Sequence, residues 1–174
     1  MLSAVAEQEK DHENVRVVLW GQSIGAGVAA DALARYLRQR SEERRLDIRG
    51  LILETPFVSI RLMLTTLYPQ RWLPYRYLWP FLTNHWDNKT ALATIQTHSK
   101  DKPVNVLIMQ AGADELVSDE HSMILEEHCK DLGFNVERYT APGALHATAI
   151  AQRGSRQAIA AFVKHVFEEK PPEK

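Results

Sequence analysis

Short apolar runs alternate with longer stretches of helical periodicity along this chain. Val15–Trp20 (V-R-V-V-L-W) is apolar and bounded by Gly21, the pattern of a buried strand. From Ile24 to Arg40, Val28, Leu33 and Leu37 recur at helical spacing with Ala and Arg between them. A second strand is expected at Ile48–Leu53, closing on Glu54-Thr55-Pro56, where proline has no amide to give to a ladder. Residues 57–100 carry a helical pattern rich in aromatics and prolines, longer than a simple crossover requires. Val104–Gln110 predicts a third strand. Asp119–Leu132 predicts a helix opened by Ser118 and stopped by Gly133. Phe134–Thr140 predicts a fourth strand and Arg156–Phe167 a final helix. Residues 1–14 are polar and helix-compatible, and the charged tail 168–174, with two prolines, is expected to fray.

Strands that alternate with helices predict an α/β domain, with a mostly parallel sheet flanked by helices and functional loops at the carboxyl ends of its strands. At 174 residues the chain is expected to form a single domain. Its formal net charge of -1 supplies no field for nucleic acid or acidic lipid. The arginines between Arg35 and Arg45 are interrupted by Glu42 and Glu43, as on a solvated helix end. A single cysteine, Cys129, excludes an internal disulfide and fits a reducing compartment. No apolar run reaches the roughly 18 residues of a membrane span, and no leader pattern opens the chain, so it reads as soluble and untargeted as written.

Gly21-Gln22-Ser23-Ile24-Gly25 is a G-x-S-x-G pattern between an expected strand and an expected helix. A serine on so sharp a turn needs small residues two positions away on each side, and the turn lifts its hydroxyl above the sheet. The Ile24 amide would then stand at a helix N-terminus, able to donate to an oxyanion. A serine needs an oriented base to become a nucleophile. Asp114, in Q-A-G-A-D-E, follows the third strand, and His146, in A-P-G-A-L-H-A, follows the fourth. Both therefore fall on the sheet edge that carries Ser23, in the chain order Ser, Asp, His. His146 would take the serine proton and Asp114 would hold the imidazole.

Each group also has a plainer role open to it. Ser23 fits a glycine-rich turn, and Asp114 a turn before the 119–132 helix, with Glu115 or Asp119 as rival carboxylate. His146 alone would pass for a loop histidine. His121 and His128 stand seven apart, not at the spacing of a helical zinc pair, and neither a metal nor a cofactor is implied. His12, His85, His98 and His165 show no partner in the sequence. The aromatics crowded between Tyr68 and Trp86 read equally as a cap over an apolar substrate cleft and as ordinary cover for the sheet.

V-V-L-W-G-Q-S-I-G-A-G, L-I-L-E-T-P-F-V-S-I and L-I-M-Q-A-G-A-D-E-L-V, with the loop bearing His146, resemble the "α/β-hydrolase domain-containing" proteins, most of all their membrane-anchored branch in fungi and animals. The resemblance spans roughly residues 10 to 168. It implies the C-terminal part of an α/β-hydrolase fold with a helical, cap-like excursion over 57–100. It also implies serine hydrolysis of esters or thioesters, with acyl lipids or acylated proteins as substrates and Ser23, Asp114 and His146 as nucleophile, acid and base. Around His146 the chain reads G-A-L-H-A-T, where relatives often carry a glycine and a polar residue. Relatives also place about four strands before the elbow strand, with the loop giving the second oxyanion amide, and a membrane anchor ahead of them. These are expected to be missing here. Loss of one oxyanion donor costs on the order of 10²–10³ in rate, and the first strand would become an exposed apolar edge.

Two other functions fit parts of the chain. Gly21, Gly25 and Gly27 also spell G-x-x-x-G-x-G, the dinucleotide turn of short-chain dehydrogenases, with Glu54 placed to meet a ribose, yet no Tyr-x-x-x-Lys pair follows. The second is a hydrolase portion that keeps its triad but serves as an interaction module. Oligomeric state is open.

Overall fold

The computed structural model describes residues 16–39, 46–67, 85–99 and 103–168. Four strands, β1 (Arg16–Gln22), β2 (Asp47–Glu54), β3 (Asn105–Ala111) and β4 (Val136–Ala141), form one parallel sheet in that spatial order. Helix α1 (Ile24–Gln39) links β1 to β2, α2 (Ile60–Leu67) and α3 (Asn88–His98) lie between β2 and β3, and α4 (Asp119–Asp131) links β3 to β4. A short 3₁₀ turn (Ala149–Ala151) and α5 (Arg153–Glu168) follow. Among the described residues no helix is long and apolar enough to cross a membrane.

The alternation of strand side chains sorts the helices onto two faces. Leu51 and Leu53 of β2, with Val106 and Ile108 of β3, pack into one core with Leu33 of α1, Leu92 and Ile95 of α3 and Leu125 of α4. The intervening residues Ile52, Leu107 and Met109 point the other way, onto Phe162 and Val166 of α5. Successive β-residues face opposite sides, so both faces of β2 and β3 must be apolar if each is covered. Every residue of both strands is buried. β1 is a sheet edge among the described residues and is only partly covered, with Trp20 46% exposed.

The expected elements stand where the pattern placed them, with shifts at their ends. Helix α5 starts at Arg153, three residues early, because Gly154 sits inside it. A side chain there would overlap the Tyr139 hydroxyl, so a glycine that reads as a helix breaker is a contact point between α5 and β4. Ser118 occupies the first cap of α4 but its hydroxyl makes no capping bond. Instead Asp114 Oδ1 accepts from the amides of Leu116 (2.9 Å) and Val117 (2.8 Å) just ahead of the helix. Gly133 ends α4 as expected, at φ 81°. The sequence did not flag Asp87, which caps α3 by accepting from the Thr90 amide at 3.1 Å.

Most of the aromatic stretch Tyr68–Trp86, the polar start 1–14, most of the arginine-rich segment beyond Gln39 and the charged tail beyond Glu168 lie outside the described residues. Within the arginine-rich segment, Arg35 pairs with Asp31 at 2.8 Å on the outside of α1. The excursion after β2 is closed at its base. Ser59 and Asp87 form an antiparallel bridge, the Ile60 amide donates to the Trp86 carbonyl at 3.1 Å, and the Asn88 amide to the Val58 carbonyl at 2.9 Å.

His121, 3% exposed, fastens this region from α4. Its Nδ1 accepts from the Val58 amide at 3.1 Å, which requires the neutral ring. Burial pushes its pKa below the ordinary 6.5, with Glu120 opposing. The unfolded chain therefore holds this proton more tightly than the folded one. The stability His121 contributes is complete above pH 6.5 and is lost as pH falls from there towards the lower folded value. His121→Leu leaves the Val58 amide unsatisfied and should cost about 1–3 kcal/mol at neutral pH. In urea titrations its deficit should shrink as the medium is acidified. Cys129, wholly buried in the same helix, has its thiol pushed up to about 12, first by burial and then by Glu126. Native protein should resist thiol alkylation and take up label only on unfolding.

Candidate active site

β1 runs into a turn at Ser23, whose φ is 52°, and α1 begins at the next residue. A non-glycine residue in this left-handed region stores strain. Two bonds hold it there: the Ser23 amide donates to the Glu54 carbonyl at 2.8 Å, and the Ser23 carbonyl accepts from the Ala26 amide at 3.0 Å. The geometry requires a small neighbour on one side only. A Cβ on Gly21 would fall on the Gly25 carbonyl group and within 2.7 Å of the Ala26 amide, whereas a Cβ on Gly25 meets nothing. The turn folds the main chain of residue 25 over residue 21, so it is position 21 that has no room. The Ile24 amide belongs to the first turn of α1 and so has no acceptor within the helix, as expected of an anion-binding donor.

Asp114 lies three residues beyond β3 and His146 five beyond β4. The Asp114 carboxylate receives His146 Nδ1 at 2.8 and 2.9 Å from its two oxygens. Both side chains are largely buried, with 9% of the histidine's and 4% of the aspartate's exposed. A carboxylate accepts, so Nδ1 carries the proton and Nε2 is left with a free lone pair. The turn role considered for Asp114 is also real: the oxygen that bonds His146 also takes the Leu116 and Val117 amides. Two fixed donors thus orient the carboxylate before it orients the imidazole. Glu115, the rival carboxylate, accepts the His146 backbone amide at 2.9 Å. That bond is the main reason its own pKa lies below the ordinary carboxylate value. Asp119 is exposed in the first turn of α4.

The structure therefore brings Asp114 and His146 into contact and sets Ser23 on the same edge of the sheet. Among the described residues no hydrogen bond joins the Ser23 hydroxyl to His146. The link between the two loops is the neighbour of the serine, Gln22, whose Nε2 donates to the His146 carbonyl at 3.4 Å. Sequence inspection did not single out Gln22 or Trp20, and weighed Glu54 only as a ribose contact. An ionisable residue closing an otherwise apolar strand end was the available signal. Glu54 is 1% exposed, its carboxylate engaged by Trp20 Nε1 at 3.0 Å, which removes it from a ribose. Gly27 packs against Trp86 and Phe57, so no phosphate could approach it.

The remaining histidines are occupied elsewhere. His98 Nδ1 meets the Thr94 carbonyl at 2.9 Å and His128 Nε2 the Lys89 carbonyl at 3.1 Å. His85 and His165 are exposed, and His12 lies outside the described residues. Among the described residues no three His, Cys, Asp or Glu side chains converge as metal ligands.

Gly21→Ala should collapse the turn and abolish reactivity at Ser23, whereas Gly25→Ala should be tolerated and, by helix propensity, stabilise by roughly 0.5–1 kcal/mol. Thermal unfolding and active-site labelling of the two variants side by side check this; equal damage from both would refute it.

No family model matches the sequence, and no curated protein matches it significantly. Solved structures do match. The Pyrococcus furiosus esterase Pf2001 aligns with 95% of this chain and 59% of its own at a TM-score of 0.63 and 17% identity. Zea mays acyl-protein thioesterase 2 aligns with 94% of this chain and 62% of its own (TM-score 0.55, 13% identity). A fungal esterase from Rhizomucor miehei aligns with 87% and 50% (TM-score 0.54, 17% identity). The chain thus spans between half and about three-fifths of the length of these structures. At such identities the likeness speaks for architecture: a parallel sheet flanked by helices, in the form of part of an α/β-hydrolase fold.

Proposed function

We propose that this chain carries the catalytic groups of a serine hydrolase acting on carboxylic ester or thioester bonds, with Ser23 as nucleophile, His146 as base and Asp114 as the carboxylate behind it. The observation that carries this is the buried Asp114–His146 pair on the sheet edge where Ser23 occupies a strained strand-to-helix turn. The esterases and the thioesterase among its structural neighbours support the same bond class.

The Ser23 hydroxyl attacks the acyl carbon while Nε2 of His146 takes its proton. Negative charge on the former carbonyl oxygen falls to the Ile24 amide. The charge gained by the imidazole is balanced through Nδ1 by Asp114. The same proton then passes to the departing alcohol or thiol, leaving an acyl-serine. Water, activated by His146 in turn, releases the acid.

Exposed aliphatic side chains lie close in the chain to each of the three groups: Ile24 (48% exposed) directly after Ser23, Leu116 (47%) two residues after Asp114 and Leu145 (50%) directly before His146. Solvent-facing apolar groups around a polar centre favour an apolar acyl chain. They support acyl lipids or acylated proteins as substrates. The four segments resembling the membrane-anchored α/β-hydrolase domain-containing proteins support that branch as the parent group. The excursion over 57–100, closed at its base by Ser59 and Asp87, is the part we assign as cap.

A fluorophosphonate probe should label Ser23 and fail on Ser23→Ala, and His146→Ala should slow labelling by on the order of 10²–10⁴. The assay belongs on this chain and on a longer one matching the full length of its structural neighbours. An unlabelled Ser23 in the longer protein would sink the enzyme assignment.

A further inference from the structure

Glu54 closes β2, is 1% exposed, and has no part in the steps above. Three segments converge on it. Its carbonyl accepts the Ser23 amide at 2.8 Å. Its carboxylate accepts Trp20 Nε1 at 3.0 Å and Gln22 Nε2 at 3.4 Å, both from β1, and the backbone of Ile150, in the 3₁₀ turn after His146, favours its ionised form. The Gln22 amide group that reaches it also reaches the His146 carbonyl at 3.4 Å. The next residue, Thr55, has φ 44°, and its amide donates to the Met109 carbonyl of β3 at 2.7 Å. Ser23 and Thr55 are the non-glycine residues with positive φ among those described, and the Glu54 peptide joins one to the other. A β-branched residue in this region costs on the order of 1–3 kcal/mol and persists only where its surroundings fix it.

We propose that Glu54 is a positioning residue whose carbonyl and buried carboxylate lock the nucleophile turn to the histidine loop and set a negative charge facing the imidazole. This rests on the serine-hydrolase assignment and extends it to a fourth polar side chain. Asp114 bonds the His146 ring at Nδ1, Glu115 bonds its backbone amide, and the charge of His146 favours the ionised forms of both Glu115 and Glu54. Asp114 and Glu115 reach it from the β3 loop, and Glu54 from β2. Imidazolium formed during attack would therefore be stabilised from both neighbouring strand ends.

Burial pushes the Glu54 carboxyl above its ordinary 4.5, the Trp20 bond, the Ile150 backbone and the charge of His146 opposing. Its stabilising contribution is complete below pH 4.5 and is lost as pH rises through the raised folded value.

The test compares wild type with Glu54→Gln and Gln22→Leu in the full chain, using a chromogenic ester, thermal unfolding and NMR titration of the His146 ring. In Glu54→Gln, kcat should fall about ten-fold with KM within about two-fold. The acid limb of the rate profile and the protonation of His146 should both move to lower pH by about half a pH unit, without loss of thermal stability. Gln22→Leu, at an exposed position, should lower kcat by a smaller factor and leave both pH midpoints in place. An unmoved His146 titration in Glu54→Gln overturns the proposal, as does a variant that loses kcat only through unfolding. Were wild type neither labelled nor active, the hydrolase assignment would fail, and the ring titration would still decide the role of Glu54.

Discussion

A single buried hydrogen bond, His146 Nδ1 to Asp114, gives this arrangement its chemistry. Without a carboxylate behind it the imidazole could present either nitrogen to the sheet edge. With it, Nδ1 is committed and Nε2 of the neutral ring keeps its lone pair. That bond depends in turn on the Leu116 and Val117 amides, which fix one oxygen of the carboxylate, and on the register of β3 with β4, which sets the two loops next to each other. The parallel ladder thus fixes the relative height of groups more than thirty residues apart in the chain.

Much of this was legible in the sequence, for physical reasons that differ by element. β2 and β3 are covered on both faces, so they read as unbroken apolar runs and their positions were recovered to within a residue. β4 is only partly buried along V-E-R-Y-T-A and was set two residues early at its start. Ser23, Asp114 and His146 drew notice because a strand-to-helix turn and two strand-end loops leave local signatures, and the structure pairs the last two. Gln22 and Trp20 did not, and Glu54 was read only as a ribose contact, since their bonds to one another run across β1 and β2, which no local pattern records. Gly25 is the opposite case: the motif demanded a glycine where the geometry leaves open space.

The two faces of the sheet carry unequal duties. Among the described residues, α1, α3 and α4 build the larger core on one side, while α5 covers the other through Phe162 and Val166. Glu54 shares its side of β2 with Ile52, which packs on α5, so the polar links between turn and histidine loop lie on the thinner face. Buried polar bonds there stand beside a modest apolar layer that includes the last helix.

The closed base of the excursion after β2 has a consequence for rigidity. Because Ser59 and Asp87 are tied to each other, the strand that precedes them and the helix that follows are held at one separation. Sliding either against the other would break the bridge together with the Ile60–Trp86 and Asn88–Val58 main-chain bonds, so β2 and α3 move as one piece.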